Sequence, residues 1–211
     1  MVTNHLIINK LTLKKQTMKK ASILLVLSIL FTINISAQDK YKIEKAHIEY
    51  VTQTMGMSME STLDFDNYGK NQVITAVINM MGMNKTSKIL SHNGYTYMLD
   101  METKSGTKTP AVDGDHIEEV DFSNIPQKIK DEHKIVELGE ETVAGKTCQV
   151  FSMESEGVKS KLWVWKNIPV KTEADQGGMT VVMEAKKIDT NPSFPAGTFE
   201  VPTDFSITEM E

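Results

Sequence analysis

The chain has 211 residues, enough for one domain with a sizeable core, and its apolar (40%) and charged (24%) fractions are those of a globular protein. It carries 23 basic and 28 acidic side chains, and every basic one is a lysine. The absence of arginine's bidentate fork, together with net negative charge, excludes nucleic-acid binding, and a single cysteine, Cys148, excludes an intramolecular disulfide framework.

The first readable element is Met18 to Gln38, MKKASILLVLSILFTINISAQ. Two lysines precede an apolar run, and the small pair Ser36-Ala37 closes it, which is the layout of a secretory signal peptide. Polar Thr32 and Asn34 interrupt the run before it reaches the ~20 apolar residues of a membrane span. Residues 1–17 read as an upstream extension, because Met18-Lys19-Lys20 is itself a complete leader start. Cleavage after Ala37 is expected, leaving residues 38–211 as one domain. No cysteine stands at the cut for acylation, so a protein free in the periplasm or outside the cell, without a stable membrane anchor, is predicted. Positions 1–37 hold five lysines and no acid, so residues 38–211 carry 18 basic against 28 acidic groups, a net of −10.

Beyond the leader the hydrophobic period is mostly two, broken by turn signals at short intervals, which predicts antiparallel sheet. From Met55 to Phe65, the residues Met55, Met57, Met59, Leu63 and Phe65 alternate with Ser58, Glu60, Thr62 and Asp64, so one face is apolar and the other wet. Asn67-Tyr68-Gly69-Lys70 is a turn, and Gln72–Met81 is the next strand. Asn93-Gly94 is a hairpin turn between Thr86–Ser91 and Tyr95–Met101, because both residues tolerate positive φ. Residues 103–116 read as a polar loop. Ser123–His133 reads as a helix with Ser123 as its N-cap and Pro126 in its first turn. Strands follow at Cys148–Glu154, Ser160–Lys166, Val170–Ala174 and Met179–Ile188. Their turns are Glu156-Gly157, Asn167-Ile168-Pro169 and Gln176-Gly177-Gly178.

Three groups of residues are candidates for function. The methionines, 14 in all, cluster at Met55, Met57, Met59 and at Met80, Met81, Met83. They suit an irregular core, an adaptable apolar groove, or a Cu(I) site built from thioethers such as Met57, Met59, Met81 and Met83. Trp163 and Trp165 share one strand face and read as core aromatics or as the rim of a concave sheet. Cys148 has no histidine within a recognisable pairing and reads as an inert buried thiol. The motifs of nucleophile elbows, phosphate loops, zinc proteases and calcium loops are absent, and Asp113-Gly114-Asp115-His116 reads as a solvated turn, so no catalytic residue is assigned.

The segments DFDNYGK, HNGYTYMLD, VAGKTCQVF, KLWVWKNIPVK and FPAGTFEVPTDF together resemble a family of exported bacterial domains of unknown function, similar in turn to the periplasmic lipoprotein carrier and the outer-membrane lipoprotein receptor. The resemblance spans about residues 40–206. It implies an open half-barrel: a curved antiparallel sheet with a helix-and-loop insertion on its concave side. The chain departs from a true carrier in lacking arginine and in having fewer helical segments to act as a lid.

The expectation is a mainly β, non-enzymatic exported protein without a cofactor, binding a lipid or acyl chain against Met55, Met57, Met59, Leu63, Phe65, Tyr95, Tyr97, Trp163 and Trp165. Soft-metal binding, or pairing of an exposed sheet edge with a protein partner, are the alternatives.

Overall fold

The alternation of apolar and polar residues builds one sheet, curved and unclosed, that counts twelve strands among the described residues in the computed structural model of the protein. The structure describes residues 39–80, 83–110, 120–155 and 157–210. All of them belong to one compact unit. The leader, its cleavage point, Met81 and Asp113–His116 lie outside the described residues.

The strands are β1 (Ala46–Thr54), β2 (Met57–Asp66), β3 (Asn71–Met80), β4 (Met83–His92), β5 (Tyr95–Asp100) and β6 (Ser105–Pro110), then β7 (Val136–Val143), β8 (Lys146–Ser155), β9 (Val158–Trp165), β10 (Ile168–Gln176), β11 (Met179–Asp189) and β12 (Ser206–Glu209). Their order across the sheet is β12-β6-β5-β4-β3-β2-β1-β11-β10-β9-β8-β7. Two meanders, β1–β6 and β7–β11, are thus joined side by side through the β1–β11 pair. Every pairing is antiparallel except β12 on β6, which is parallel.

Tight turns set this register. Met55-Gly56, Asn93-Gly94, Ala144-Gly145, Lys166-Asn167 and Gly177-Gly178 each hold both central residues at positive φ. That is the backbone of two-residue hairpins whose twist matches the strands they join. The Asn93-Gly94 turn falls where the sequence predicts it, closing the His92–Tyr95 pair.

Several elements differ from the sequence expectation. Met55 belongs to a turn, because Thr54 pairs with Met57, so the predicted Met55–Phe65 strand begins two residues later. It is preceded by β1, whose buried Ala46, Ile48, Tyr50 and Thr52 alternate with half-buried neighbours. Ser105–Pro110, expected as loop, is a strand. Gly106 lies so close to Met98 O and Leu99 that a methyl there would approach to 2.6 Å and 2.7 Å. The turn after β9 is Lys166-Asn167, one residue earlier than expected, and Pro169 sits within β10 at a bulge, where its missing N–H disrupts least. β7 and β12 were not foreseen: β7 is exposed on almost every residue and so shows no two-sided pattern.

The helix α1 is Gln127–Glu132, shorter than predicted. Asp121 Oδ1 accepts from both the N–H (3.0 Å) and the hydroxyl (2.6 Å) of Ser123, so Ser123 closes a local turn, and the N-cap position falls on Pro126. Pro126, with ψ at 142°, stands immediately before the helix. Among the described residues, no helix is long and apolar enough to cross a membrane.

Both sheet edges are guarded. β7 carries Glu137, Glu140 and Glu141 and is bulged between Glu137 and Gly139, while β12 has only four residues. Short, charged and bulged edges resist pairing with another chain.

The segment from residue 39 to 45 is clamped over the sheet by Tyr41. Its N–H donates to Tyr68 O (3.0 Å), its ring tilts against Phe65 with centroids 4.3 Å apart, and its hydroxyl donates to Gln72 Oε1 (3.1 Å). Gly69, at φ +91°, makes room: a methyl there would lie 2.7 Å from Tyr41 Cδ2. Gly69→Ala is expected to destabilise the protein by about 2 kcal/mol or more in urea denaturation, because backbone strain and the displaced ring add.

Candidate functional site

Directly opposed residues in an antiparallel ladder share a face, so the register assigns each side chain to one side of the sheet. One row runs Ile48–Leu63–Ile74–Ile89–Met98 across β1 to β5. Its exposure climbs from 0% at Ile48 through 3% at Leu63 and 4% at Ile74 to half-buried Ile89 and 53% at Met98. Five strands at ~4.8 Å spacing make this an apolar track about 20 Å long.

The rows beside it contain small or polar groups. On one side stands Ala46–Phe65–Gln72–Ser91–Thr96, on the other Tyr50–Ser61–Ala76–Ser87–Asp100. A further row, Met59–Thr52–Met183–Thr172–Leu162–Phe151, carries the same face into the second meander. There α1 closes it, with Ile125, Ile129 and Ile135 packed on Phe151 and Val164. We call this the inner face. A cavity of ≈ 190 Å³ lies beneath the helix, lined by Phe122, Ile125, Ile135, Phe151 and the polar Lys130 and Glu137.

Tyr50 and Tyr41 are fully enclosed at this face, and burial raises both phenols well above their ordinary range. Tyr50 Oη donates to Pro169 O at 3.0 Å, tying β1 to β10.

The outer face carries most of the charge. Glu49, Thr62, Thr75 and Lys88 form one row, and His47 and Asp64 begin the next, which continues into buried Val73 and Leu90. His47 Nδ1 lies 2.5 Å from Asp64 Oδ1, and Lys187 bridges to Glu49 at 3.0 Å. Pro192 and Phe194 overhang this region, leaving a cleft of ≈ 450 Å³.

Trp163 is the centre of the outer face in the second meander, reached through the row Val150–Trp163–Lys171–Glu184–Val51–Glu60. Its indole N–H donates to Glu141 Oε2 at 2.8 Å, and the ammonium groups of Lys161 and Lys171 each sit 4.4 Å from its ring centroid. The Trp163 N–H first, and the Lys161 ammonium second, hold the Glu141 carboxyl below its ordinary range.

The nine expected lining residues are therefore divided. Met57, Met59, Leu63 and Phe65 share the inner face, but Leu63 and Phe65 are closed over while Met57 is 46% exposed. Met55 is in a turn, 58% exposed. Tyr95 and Tyr97 lie on the outer face, where Lys108 caps the Tyr95 ring at 4.7 Å. Trp163 and Trp165 are on that outer face too, Trp165 under Lys146 at 4.8 Å. The pairing of strands, not alternation within one strand, separates these groups. Of the four thioethers considered for copper, Met57 and Met59 share the inner face, Met83 pairs with Met80, and Met81 is outside the described residues. Among the described residues no group of three His, Cys, Asp or Glu side chains is placed to hold a metal ion. Cys148 is buried, and burial raises its thiol pKa. Sequence reasoning missed Ile74, Ile89 and Met98, although 72, 74 and 76 alternate visibly within the predicted Gln72–Met81 strand.

No protein-family model and no curated protein matches the chain. Solved structures share its fold. An uncharacterized conserved protein from Thermus thermophilus superposes with a TM-score of 0.56 at 8% identity, over 79% of this chain and 91% of that one. The MucA/MucB complex of Pseudomonas aeruginosa gives 0.51 at 10% identity, over 81% of this chain and 60% of the other. MucB in complex with MucA(peri) gives 0.50 at 10% identity, over 81% and 57%. The chain thus spans about three-fifths of the MucB chains it resembles, and at these identities the likeness is one of fold.

The Trp163–Glu141 contact has a readable acid limit. A carboxyl whose folded pKa lies below its unfolded value stabilises the fold above the ordinary glutamate range, and that contribution is lost as pH falls through the folded value. In a Trp165→Phe background, tryptophan emission is expected to stay constant through mild acid and to change only below the usual glutamate range. Glu141→Gln should abolish that transition.

Proposed function

We propose that this is a non-enzymatic exported protein that holds an acyl chain along the Ile74–Ile89–Met98 part of its inner face. The observation that carries this reading is the graded exposure of one continuous apolar row, from enclosed Ile48 to open Met98, on the sheet face that also bears the helix. A closed core needs no such open end, and a soluble surface gains nothing from an aligned apolar track.

The leader-like residues 18–38 support export. The fold shared with MucB, a protein solved in complex with MucA(peri), is consistent with an extracytoplasmic role. Pairing of a partner strand on the sheet edge is the less favoured alternative, because β7 is bulged and acidic and β12 is short.

The test uses protein purified from the exported fraction and a pyrene-labelled acyl chain as probe. Saturable binding is expected. Met98→Asp should weaken it about tenfold or more, since a carboxylate on the track must be desolvated by the chain, while Trp165→Phe on the outer face should leave it unchanged. Absence of saturable binding, or equal effects of the two substitutions, would overturn the reading.

A further inference from the structure

Gln72 is 1% exposed and Ser91 is 2% exposed, and the two are directly paired across β3 and β4 on the inner face. They stand one pleat repeat, ~7 Å, from Ile74 and Ile89 of the apolar row. Gln72 Oε1 is engaged by the Tyr41 hydroxyl at 3.1 Å, which turns the amide nitrogen away from Tyr41. That nitrogen and the Ser91 hydroxyl are buried with no hydrogen-bond partner. A native core seldom leaves such groups unmade, because each has given up water for nothing.

We propose that Gln72 Nε2 and Ser91 Oγ form a hydrogen-bonding subsite for the carbonyl oxygen of an uncharged acyl ester or amide, whose chain lies along Ile74, Ile89 and Met98. The inference rests on the acyl-binding reading of this face and specifies the ligand's polar end. The chemistry selects it in two steps. The amide nitrogen only donates, so the complementary group is an acceptor, which excludes a plain hydrocarbon and an ammonium headgroup. The ladder neighbours of the pair on this face are Phe65, Ile74, Ile89 and Thr96, all uncharged, and the Tyr41 phenol packs beside Gln72. A free carboxylate would therefore be buried without a facing cation, a heavy desolvation cost that a neutral carbonyl avoids. Entry is from the Met98 side, where Thr96 is half-buried and Met98 is open.

The experiment compares monopalmitoylglycerol with hexadecyl glycerol ether, which keeps the chain and headgroup but lacks the carbonyl, by displacement of the pyrene-labelled acyl probe. The native protein is expected to prefer the ester by roughly five- to tenfold, the worth of a hydrogen bond. Gln72→Met, which keeps side-chain length without the donor, should abolish that preference while leaving ether binding intact. Ser91→Ala should reduce the preference and serves as the test if Gln72→Met does not fold. Equal binding of ester and ether by the native protein overturns the subsite and leaves the acyl track standing, with the Gln72 amide then satisfied by buried water alone. Failure of both lipids to displace the probe, or of the probe to bind, overturns the acyl track and the subsite together.

Discussion

Register in an antiparallel ladder decides everything else in this molecule. Eleven strands are joined edge to edge in antiparallel pairs, and each pair hands its face assignment to the next. Ile48, Leu63, Ile74 and Ile89 line up on one side only because consecutive pairings keep step. A slip of one residue in β2 would carry Glu60, Thr62 and Asp64 inward and Leu63 and Phe65 out. Burying a side chain such as Leu or Phe contributes about 1.5–3 kcal/mol, so the apolar row itself enforces the register that creates it. The two-residue turns at Met55-Gly56, Asn93-Gly94 and Lys166-Asn167 make the same choice locally, and local and global preferences agree.

The two faces do different work. The outer face gathers lysines and acids into short networks, with Trp163 held between Lys161, Lys171 and Glu141. Such partly exposed pairs contribute little to stability individually, but they fix a large buried aromatic in one orientation. The inner face has no comparable charge network along its apolar row. The polar groups flanking that row are hydroxyls, the Gln72 amide and, at its far end, the Asp100 carboxylate, and they sit beside the row rather than in it. An apolar track bordered by sparse, fixed donors is the composition expected of a small-molecule site.

A fold shared at 8–10% identity with the Thermus protein and with MucB says how the sheet is built and leaves the chemistry open. What distinguishes this chain lies in its own rows. Tyr41 clamps Phe65 and orients Gln72, and the 39–45 segment is pinned by Tyr41 N–H to Tyr68 O and by Lys42 to Asp121 at 2.6 Å. The clamp connects the start of the described domain to the region where the polar pair meets the apolar row.

The alternating pattern was enough to establish a mainly antiparallel sheet, most strands of both meanders and the Asn93-Gly94 turn. Period-two alternation and positive-φ residues act within a few neighbouring positions, so they are visible in one dimension. It also showed that Leu63 and Phe65 share a face, as do Tyr95 with Tyr97 and Trp163 with Trp165. It did not show that the first pair lies opposite the other two. Face identity is passed from strand to strand by pairing, and every turn residue and every bulge, such as that at Pro169, can reverse the parity. β7 shows no alternation to read because an edge strand is exposed on both sides, and α1 is shorter than expected because the extended backbone of Pro126 holds the chain out of the helix until Gln127. Strand identity was thus largely a property of the sequence by itself; which side chains look at each other across the sheet, and so where a ligand could lie, was decided only when the ladder closed.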